Sequence, residues 1–164
     1  MTNQSMLADL AKGAVAGAVA TWAMGQVNGL LHERTARGVR RRERRARAGM
    51  PATRAVHAGE AIVGRGLDRA AQQQLAGALR WGSGIAAGAV YGALRRRFPG
   101  VRRARGLGFG AGFFAVADET LAPFLDLAPT PFELPWQTHV RGLSGHLVFG
   151  AVADGVLELL DRVT

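Results

Sequence analysis

The chain has 164 residues, 23 glycines, no cysteine and a formal net charge of +9, which indicates one domain and excludes disulfides and thiolate chemistry. Aromatic residues make up only 7% of it, so a water-soluble fold would bury too little apolar area to offset its chain entropy. In lipid that objection weakens, because glycine and alanine let helices approach closely, and the composition therefore favours an integral membrane protein.

The first predicted element is an apolar helix over residues 10–31, LAKGAVAGAVATWAMGQVNGLL, which is long enough to cross a bilayer. It is broken by Lys12 near its start and by Gln26 and Asn28 near its end. A secretory signal peptide is the alternative, since residues 18–20 read Ala-Val-Ala, but the acidic Asp9 is unlike the basic start of such a leader. The pattern favours a transmembrane span.

A basic amphipathic loop is predicted over residues 32–74, and its first part holds eight arginines and two glutamates over residues 32–49. The position of these arginines directly after an apolar span favours anionic lipid headgroups as their partner, and the candidates are Arg40, Arg41, Arg42, Arg44 and Arg45. Nucleic acid is the alternative, since arginine neutralises any phosphate, but no aromatic residues are interleaved. Apolar residues at helical spacing then predict an amphipathic helix over residues 52–74, on the membrane surface or against the bundle.

Three more spans are predicted, over residues 75–94, 106–128 and 137–160. Each is close to the roughly 20 residues that a crossing requires. The predicted fold class is therefore all-α, an integral membrane bundle of about four glycine-rich transmembrane helices plus one amphipathic helix in the first loop. Residues 1–164 form a single membrane domain in this interpretation. Its orientation stays open, because basic loops flank the spans on both sides, although the larger charge of the long loop favours the cytoplasm for it.

Small residues and ionisable residues recur together at helical spacing in all four spans. The predicted stripes are Gly13, Gly17, Thr21, Gly25 and Asn28; Gly77, Arg80, Gly84, Gly88 and Tyr91; Gly108, Ala111, Ala115, Asp118 and Ala122; and Gly142, His146, Gly150, Ala153 and Asp154. Small residues mark the face that meets other helices, and charges turn away from hydrocarbon. Both arguments assign the same face of each helix to the interior of the bundle.

Counting the helical rise from the side of the long loop predicts a polar cluster inside the bundle. Its members are Arg80, Asp118, Glu119, Arg141 and His146, with Asn28 and Asp154 as secondary polar positions. Pro123 should kink the third span beside the carboxylates, because it cannot donate an N–H to the carbonyl of Glu119. The cluster has two interpretations, an ion-paired network that holds the helices together or a proton or ion pathway.

Two further motifs could indicate a protease or a metal site, but each lacks a residue or spacing that such a site requires. The segment Gly142-Leu143-Ser144-Gly145 is similar to the GxSG segment of rhomboid intramembrane proteases, but no histidine follows His146 to act as the base on a later helix. His139 and His146 lack the spacing of known histidine-carboxylate metal sites, so we expect no metal and no cofactor.

The order of KGAVAGAVATWAM, GSGIAAGAVYGALRRR, GFGAGFFAVADE and PWQTHVRGLSGHLVFGAVAD resembles the bacterial inner-membrane proteins grouped as YagU-like, a family of uncharacterised function. The resemblance implies a multi-pass protein of the bacterial cytoplasmic membrane and brings no catalytic residues. The sequence therefore predicts a small non-enzymatic membrane protein of structural or accessory role, with the bilayer, a second copy or another membrane protein as partner. The alternative is a proton- or ion-coupled transporter or channel component that uses Asp118, Glu119 and His146.

Overall fold

The computed structural model describes residues 3–48, 68–102, 104–125 and 128–163. These residues form helices joined by turns, with no strand among them, and the predicted all-α class is confirmed. The helices are α1 (Asn3–Glu33), α2 (Arg37–Ala48), α3 (Arg69–Arg97), α4 (Leu107–Val116) and α5 (Trp136–Val163), with short 3-10 turns at Pro99–Arg102 and Pro131–Glu133.

The long helices α1, α3 and α5 contain three of the predicted spans and extend beyond them. α3 begins early because the Asp68 carboxylate accepts a hydrogen bond of 2.8 Å from the backbone N–H of Ala71, which satisfies one of the donors at the helix start. The amphipathic helix predicted over residues 52–74 lies outside the described residues as far as residue 67. Its last residues, from Arg69 onward, belong to α3.

The basic segment was predicted to be a loop, but its central part is the helix α2. Arginines four positions apart repel one another and destabilise an isolated helix. The helix has one buried face, however, formed by Val39 and Glu43, which are 8% and 5% exposed. Its helical structure therefore depends on contacts with the rest of the bundle, which the charge pattern does not reveal.

The third predicted span is not one regular helix. α4 continues into a π-helical turn at Ala117–Leu121, in which the N–H of Ala122 donates to the carbonyl of Ala117, and a last helical turn follows at Ala122–Phe124. The predicted distortion before Pro123 is thus a widened turn, consistent with a proline ring that displaces the carbonyl four residues earlier. One extra residue in a turn rotates the following side chains by roughly 100°.

α1 lies between α3 and α5, and α4 packs on α5. Glycines bring α1 and α3 into backbone contact, since a Cβ atom at Gly88 would lie only 2.4 Å from the carbonyl oxygen of Gly13 and from the Cα of Gly17. A Cβ atom at Gly106, which has a φ of 76°, would lie 2.0 Å from the Gly150 oxygen. The helices therefore approach so closely because these positions carry no side chain.

The stripe predicted for the third span is wrong. Gly108 has only one atom at the limit of contact and is exposed, and Ala115 is exposed as well. α4 instead meets α5 through Gly106 and Gly110, and a Cβ atom at Gly110 would lie 2.1 Å from the His146 carbonyl oxygen. Glycine at every second position in GLGFGAG leaves the packed face ambiguous, and the π-helical turn changes the phase of the residues after it.

A small set of side chains forms the core of the described residues, namely Ala16, Ala20, Tyr91, Phe149, Ala153 and Leu157. One helix in the described part of the chain, α5, is long and apolar enough to cross a membrane. α1 and α3 have sufficient length, at 31 and 29 residues, but not the same apolar character.

Candidate functional site

Asp118 and His146 meet where the π-helical turn faces α5. The Asp118 carboxylate lies 3.8 Å from His146 Nδ1, which is beyond hydrogen-bond range, and the interaction is electrostatic. Nδ1 donates to the carbonyl oxygen of Gly142 at 3.0 Å, since a carbonyl can only accept. The imidazole is buried against the rings of Phe113 and Phe114, whose centroids lie at 5.0 and 5.5 Å. Asp118 is about half exposed, so only the histidine is held inside the bundle.

Glu119 pairs with His139, which the sequence did not place in the cluster. The Glu119 carboxylate lies 2.6 Å from His139 Nδ1, and the carbonyl oxygen of Pro131 lies 3.0 Å from Nε2. Nε2 must donate to that carbonyl, and a contact of 2.6 Å between Nδ1 and a carboxylate requires a second hydrogen. The two side chains therefore hold a proton between them, and they attach the end of α4 to the start of α5.

The Arg80 guanidinium has no hydrogen bond or ion pair to a side chain among the described residues, and the Arg80 carbonyl accepts from the Ser83 hydroxyl at 3.0 Å. In this respect the predicted cluster is not assembled. The guanidinium lies against α1, where a Cβ atom at Gly25 would be 2.5 Å from Nη2. Arg80 and Asp118 nevertheless line the same two cavities, of about 360 and 620 Å³, and Ala122 also borders both. His146 borders the smaller cavity and His139 borders the larger one. The polar side chains of this region therefore line two neighbouring cavities.

Arg141 binds Glu43 of α2 rather than the carboxylates of the third span, which corrects the predicted cluster. Arg141 Nη2 donates to Glu43 Oε1 at 2.8 Å, and the Thr138 hydroxyl donates to the same oxygen at 2.5 Å. Arg141 Nη1 also donates to the Thr35 hydroxyl at 3.4 Å. These contacts fix α2 against the start of α5. A single glutamate within RRRERR, four positions after the apolar Val39, is the sequence signal that could have indicated a buried partner.

The charge of Glu43 is stabilised by this contact. Burial raises the pKa of the carboxyl, but the hydrogen bonds from Thr138 and Arg141 and the positive charge of Arg141 outweigh it, and the pKa lies below the ordinary value for glutamate. Because the pKa is lowered in the folded state, Glu43 stabilises the fold at pH values above the ordinary pKa of glutamate. That contribution is lost as the pH falls through the lowered value.

The two secondary positions lie far from each other, and only Asn28 belongs to this region, where it borders the larger cavity with Arg80 and Asp118. The Asn28 amide packs on Gly145, and its Oδ1 atom is buried without a hydrogen-bond partner. Asp154 lies toward the other end of α5, where its carboxylate accepts a hydrogen bond of 2.7 Å from the buried Tyr91 hydroxyl. Asn28 and Asp154 thus belong to separate helix contacts.

A second polar cluster, which the sequence reasoning missed, surrounds Asp154. Arg95 Nε lies 3.5 Å from Asp154, and Arg95 Nη1 lies 3.5 Å from Asp161, which also pairs with Lys12 at 3.2 Å. Arg96 pairs with Asp9 at 2.6 Å. Most of these residues lie at or beyond the ends of the predicted spans, where charges are usually solvated. Arg95 and Asp9 are nevertheless buried, at 5% and 6% exposure.

The arginines expected to bind headgroups lie along α2. Arg41, Arg42, Arg44 and Arg45 are exposed. Arg40 is partly buried and donates to the His32 carbonyl oxygen at 3.5 Å. These four arginines form a basic surface around the buried face of α2 that Val39 and Glu43 provide.

Ser144, in the segment similar to rhomboid proteases, donates to the carbonyl oxygen of Val140 within its own helix at 2.8 Å. Comparison with family models, with curated proteins and with solved structures finds no match for this chain. The YagU-like resemblance stays a prediction.

Proposed function

We propose that the chain is a small polytopic protein of the bacterial cytoplasmic membrane, with a structural or accessory role, whose buried ion pairs hold its helices together. The observation that carries this proposal is the distribution of side chains: many large apolar groups point outward, while Asp9, Glu43, Arg95 and Asp154 are buried inside. Exposed apolar side chains on α1 and α3 include Val15, Val19, Trp22, Leu79, Trp81, Ile85 and Val90. In water this arrangement would leave large apolar patches exposed, whereas in lipid it buries them.

The spacing of the two charged regions also supports the proposal. Arg141 and Asp161 lie twenty positions apart on α5, and at about 1.5 Å per residue they are separated by roughly 30 Å. This is close to the thickness of the hydrocarbon core of a bilayer. Phe132 is 99% exposed and Trp136 is 68% exposed beside the first of these regions, at the depth where aromatic residues anchor membrane proteins.

The ion pairs explain how weakly hydrophobic helices could stay associated. The ion pair between Glu43 and Arg141 joins α2 to α5, and the one between Arg95 and Asp154 joins α3 to α5. A charge facing lipid is costly, so a helix that separated from its partner would expose an unpaired group. The pairs therefore oppose separation of the helices.

Cysteine labelling tests this proposal, and the wild-type chain gives no labelling of its own because it has no cysteine. Val19→Cys and Val90→Cys should resist a water-soluble maleimide in intact membranes, since lipid covers them, and should react after denaturation. Arg44→Cys and Arg97→Cys, at exposed positions, should react only from opposite sides of sealed vesicles. Labelling of all four variants from one side, or release of the wild-type chain by a carbonate wash, would contradict a polytopic arrangement.

A second candidate function, a proton- or ion-coupled transporter or channel component, is favoured by the two cavities that share Arg80 and Asp118. The π-helical turn that presents Asp118 and Glu119 is of a kind frequent at functional sites. His146 beside Asp118, and the proton held between Glu119 and His139, supply titratable groups along these cavities. This function requires the same membrane placement as the first.

Proteoliposomes under a pH gradient distinguish the two functions. If the chain conducts protons, Asp118→Asn combined with His146→Ala should reduce the flux at least about ten-fold, because the carboxylate and the imidazole that border the smaller cavity are both lost while Arg80 stays protonated. Glu158→Gln is the matched control, since Glu158 is an exposed carboxylate that borders neither cavity. A wild-type flux equal to that of empty liposomes, or a flux that the double variant does not change, would contradict the transport function and favour the structural role.

A further inference from the structure

The second polar cluster encloses a cavity of about 450 Å³ at the end of the bundle opposite α2, here called the Arg95 pocket. It is lined by Asp9, Lys12, Gly92, Arg95, Arg96, Arg102, Leu157 and Asp161. The residues come from α1, α3, the Pro99–Arg102 turn and α5. The pocket thus forms only when these elements are assembled, and neither proposed function uses it.

Arg95 carries donors that no described group satisfies. Its side chain is only 5% exposed, yet Nε, Nη1 and Nη2 have no hydrogen-bond partner. The nearest carboxylate oxygens, on Asp154 and Asp161, lie at 3.5 Å. Leaving a buried charged donor without a partner is costly, so such a group is normally paired with an ion, a ligand or water. The guanidinium borders the pocket, and an acceptor within the pocket could reach it.

The charge of the lining is positive. Four cationic side chains and two carboxylates line it, and the ion pairs there join Arg96 to Asp9 and Lys12 to Asp161. Arg95 lies 3.5 Å from both Asp161 and Asp154, the second of which is just outside the lining, so four cations still exceed three carboxylates. Arg102 has no hydrogen bond or ion pair to a side chain in the described part of the chain, and its side chain is exposed at the rim. The excess positive charge, with Arg102 at the rim and the unsatisfied donors of Arg95 inside, would therefore attract an anion.

We propose that the Arg95 pocket binds a phosphate group, carried either by an anionic lipid headgroup or by a small soluble phosphate. Guanidinium groups present planar pairs of N–H donors that match the oxygens of a phosphate, and two arginines from different elements can grip it from two sides. A phosphate also supplies enough acceptors for the unsatisfied nitrogens of Arg95. Bound there, it would join α3 to the turn that precedes α4.

Binding is measured with the full chain purified in a neutral detergent, by calorimetry and by the shift in melting temperature. One arm adds inorganic phosphate, and the other adds phosphatidylglycerol to the micelles, both against sodium chloride at matched ionic strength. Binding of phosphate in the first arm identifies a soluble phosphate as sufficient. Binding in the second arm alone identifies the lipid headgroup. A response to neither anion beyond that to chloride overturns the proposal.

Two variants distinguish a binding site from a general effect of surface charge. Arg102→Gln should weaken binding at least about ten-fold, the loss expected when one charged hydrogen bond is removed. Arg97→Gln is the matched control, because Arg97 is an exposed arginine outside the pocket and should leave the affinity within about two-fold. Equal losses in these two variants would show screening of surface charge and would contradict a pocket.

Asp161→Asn provides a test that misfolding cannot imitate. It removes a carboxylate from the lining and releases Lys12 and Arg95 toward the pocket. We expect tighter anion binding even though two ion pairs are lost and the unliganded chain becomes less stable. Unchanged or weaker binding in a variant that still melts cooperatively would overturn the proposal.

Discussion

Gly88→Ala should destabilise the bundle by about 3 kcal/mol or more, although alanine is the better helix former. The added methyl group would lie 2.4 Å from backbone atoms of Gly13 and Gly17, and 2.6 Å from a further backbone atom of Gly17. Backbone atoms in a helix cannot turn aside as a flexible side chain can, so α1 and α3 must separate. The midpoint of unfolding in mixed micelles, followed by circular dichroism, measures the effect.

Gly82→Ala is the matched control for this prediction. Gly82 lies in the same helix, and a Cβ atom there would meet nothing within 4 Å. The substitution should stabilise the chain by about 0.5–1 kcal/mol, since it reduces the conformational freedom of the unfolded chain without a clash. Equal effects at the two positions would mean that α1 and α3 do not pack through their glycines.

Asp154→Leu should cost about 3–5 kcal/mol of stability, because it leaves the buried Arg95 guanidinium without its inner carboxylate and the Tyr91 hydroxyl without an acceptor. Asp154→Asn should cost less, since the amide oxygen can still accept from Tyr91. Unfolding midpoints of the two variants, measured side by side, separate the contribution of the charge from that of the hydrogen bond.

A double variant tests whether the cost arises from an unpaired charge. Asp154→Leu combined with Arg95→Met should recover a large part of the stability lost in the single variant, because it removes both buried charges. Glu158→Gln, an exposed carboxylate one turn further along α5, should change stability by no more than about 0.5 kcal/mol. If the two substitutions in the double variant simply added, the ion pair would have no part in holding α3 to α5.

The apolar runs were sufficient to predict the long helices, because a stretch of about 20 residues with few charges is too long for a typical strand and is typical of a helix. Their ends were harder to place. α3 extends to Arg69 because Asp68 provides a cap, and this signal falls in a polar stretch that the hydrophobic pattern assigns to the preceding element. The helix α2 was not predicted, because its stability comes from contacts with the rest of the bundle, which the local sequence pattern does not reveal.

The polar contacts were predicted less well than the helices, for a reason visible in their separations along the chain. Arg141 was expected beside Asp118, but its partner Glu43 lies 98 positions away in a run of arginines. Asp9 and Arg96 are 87 positions apart. Helical spacing predicts which residues share a face of one helix, but it does not determine which helices meet. Asp118 and His146 do lie near each other, because α4, with its π-helical turn, and α5 pack together and carry these two residues at matching depth.

The central position of α1 has a consequence for how the protein assembles. Lys12 of α1 reaches Asp161 of α5, 149 positions later in the chain. At a synthesis rate of about 5–20 residues per second, α1 waits roughly 7–30 s for that partner. Its contacts with α3 can form earlier, so we expect α1 and α3 to pair as a folding intermediate before α5 is added. The interval is the period in which the nascent chain is most exposed to proteolysis and to pairing with the wrong helix.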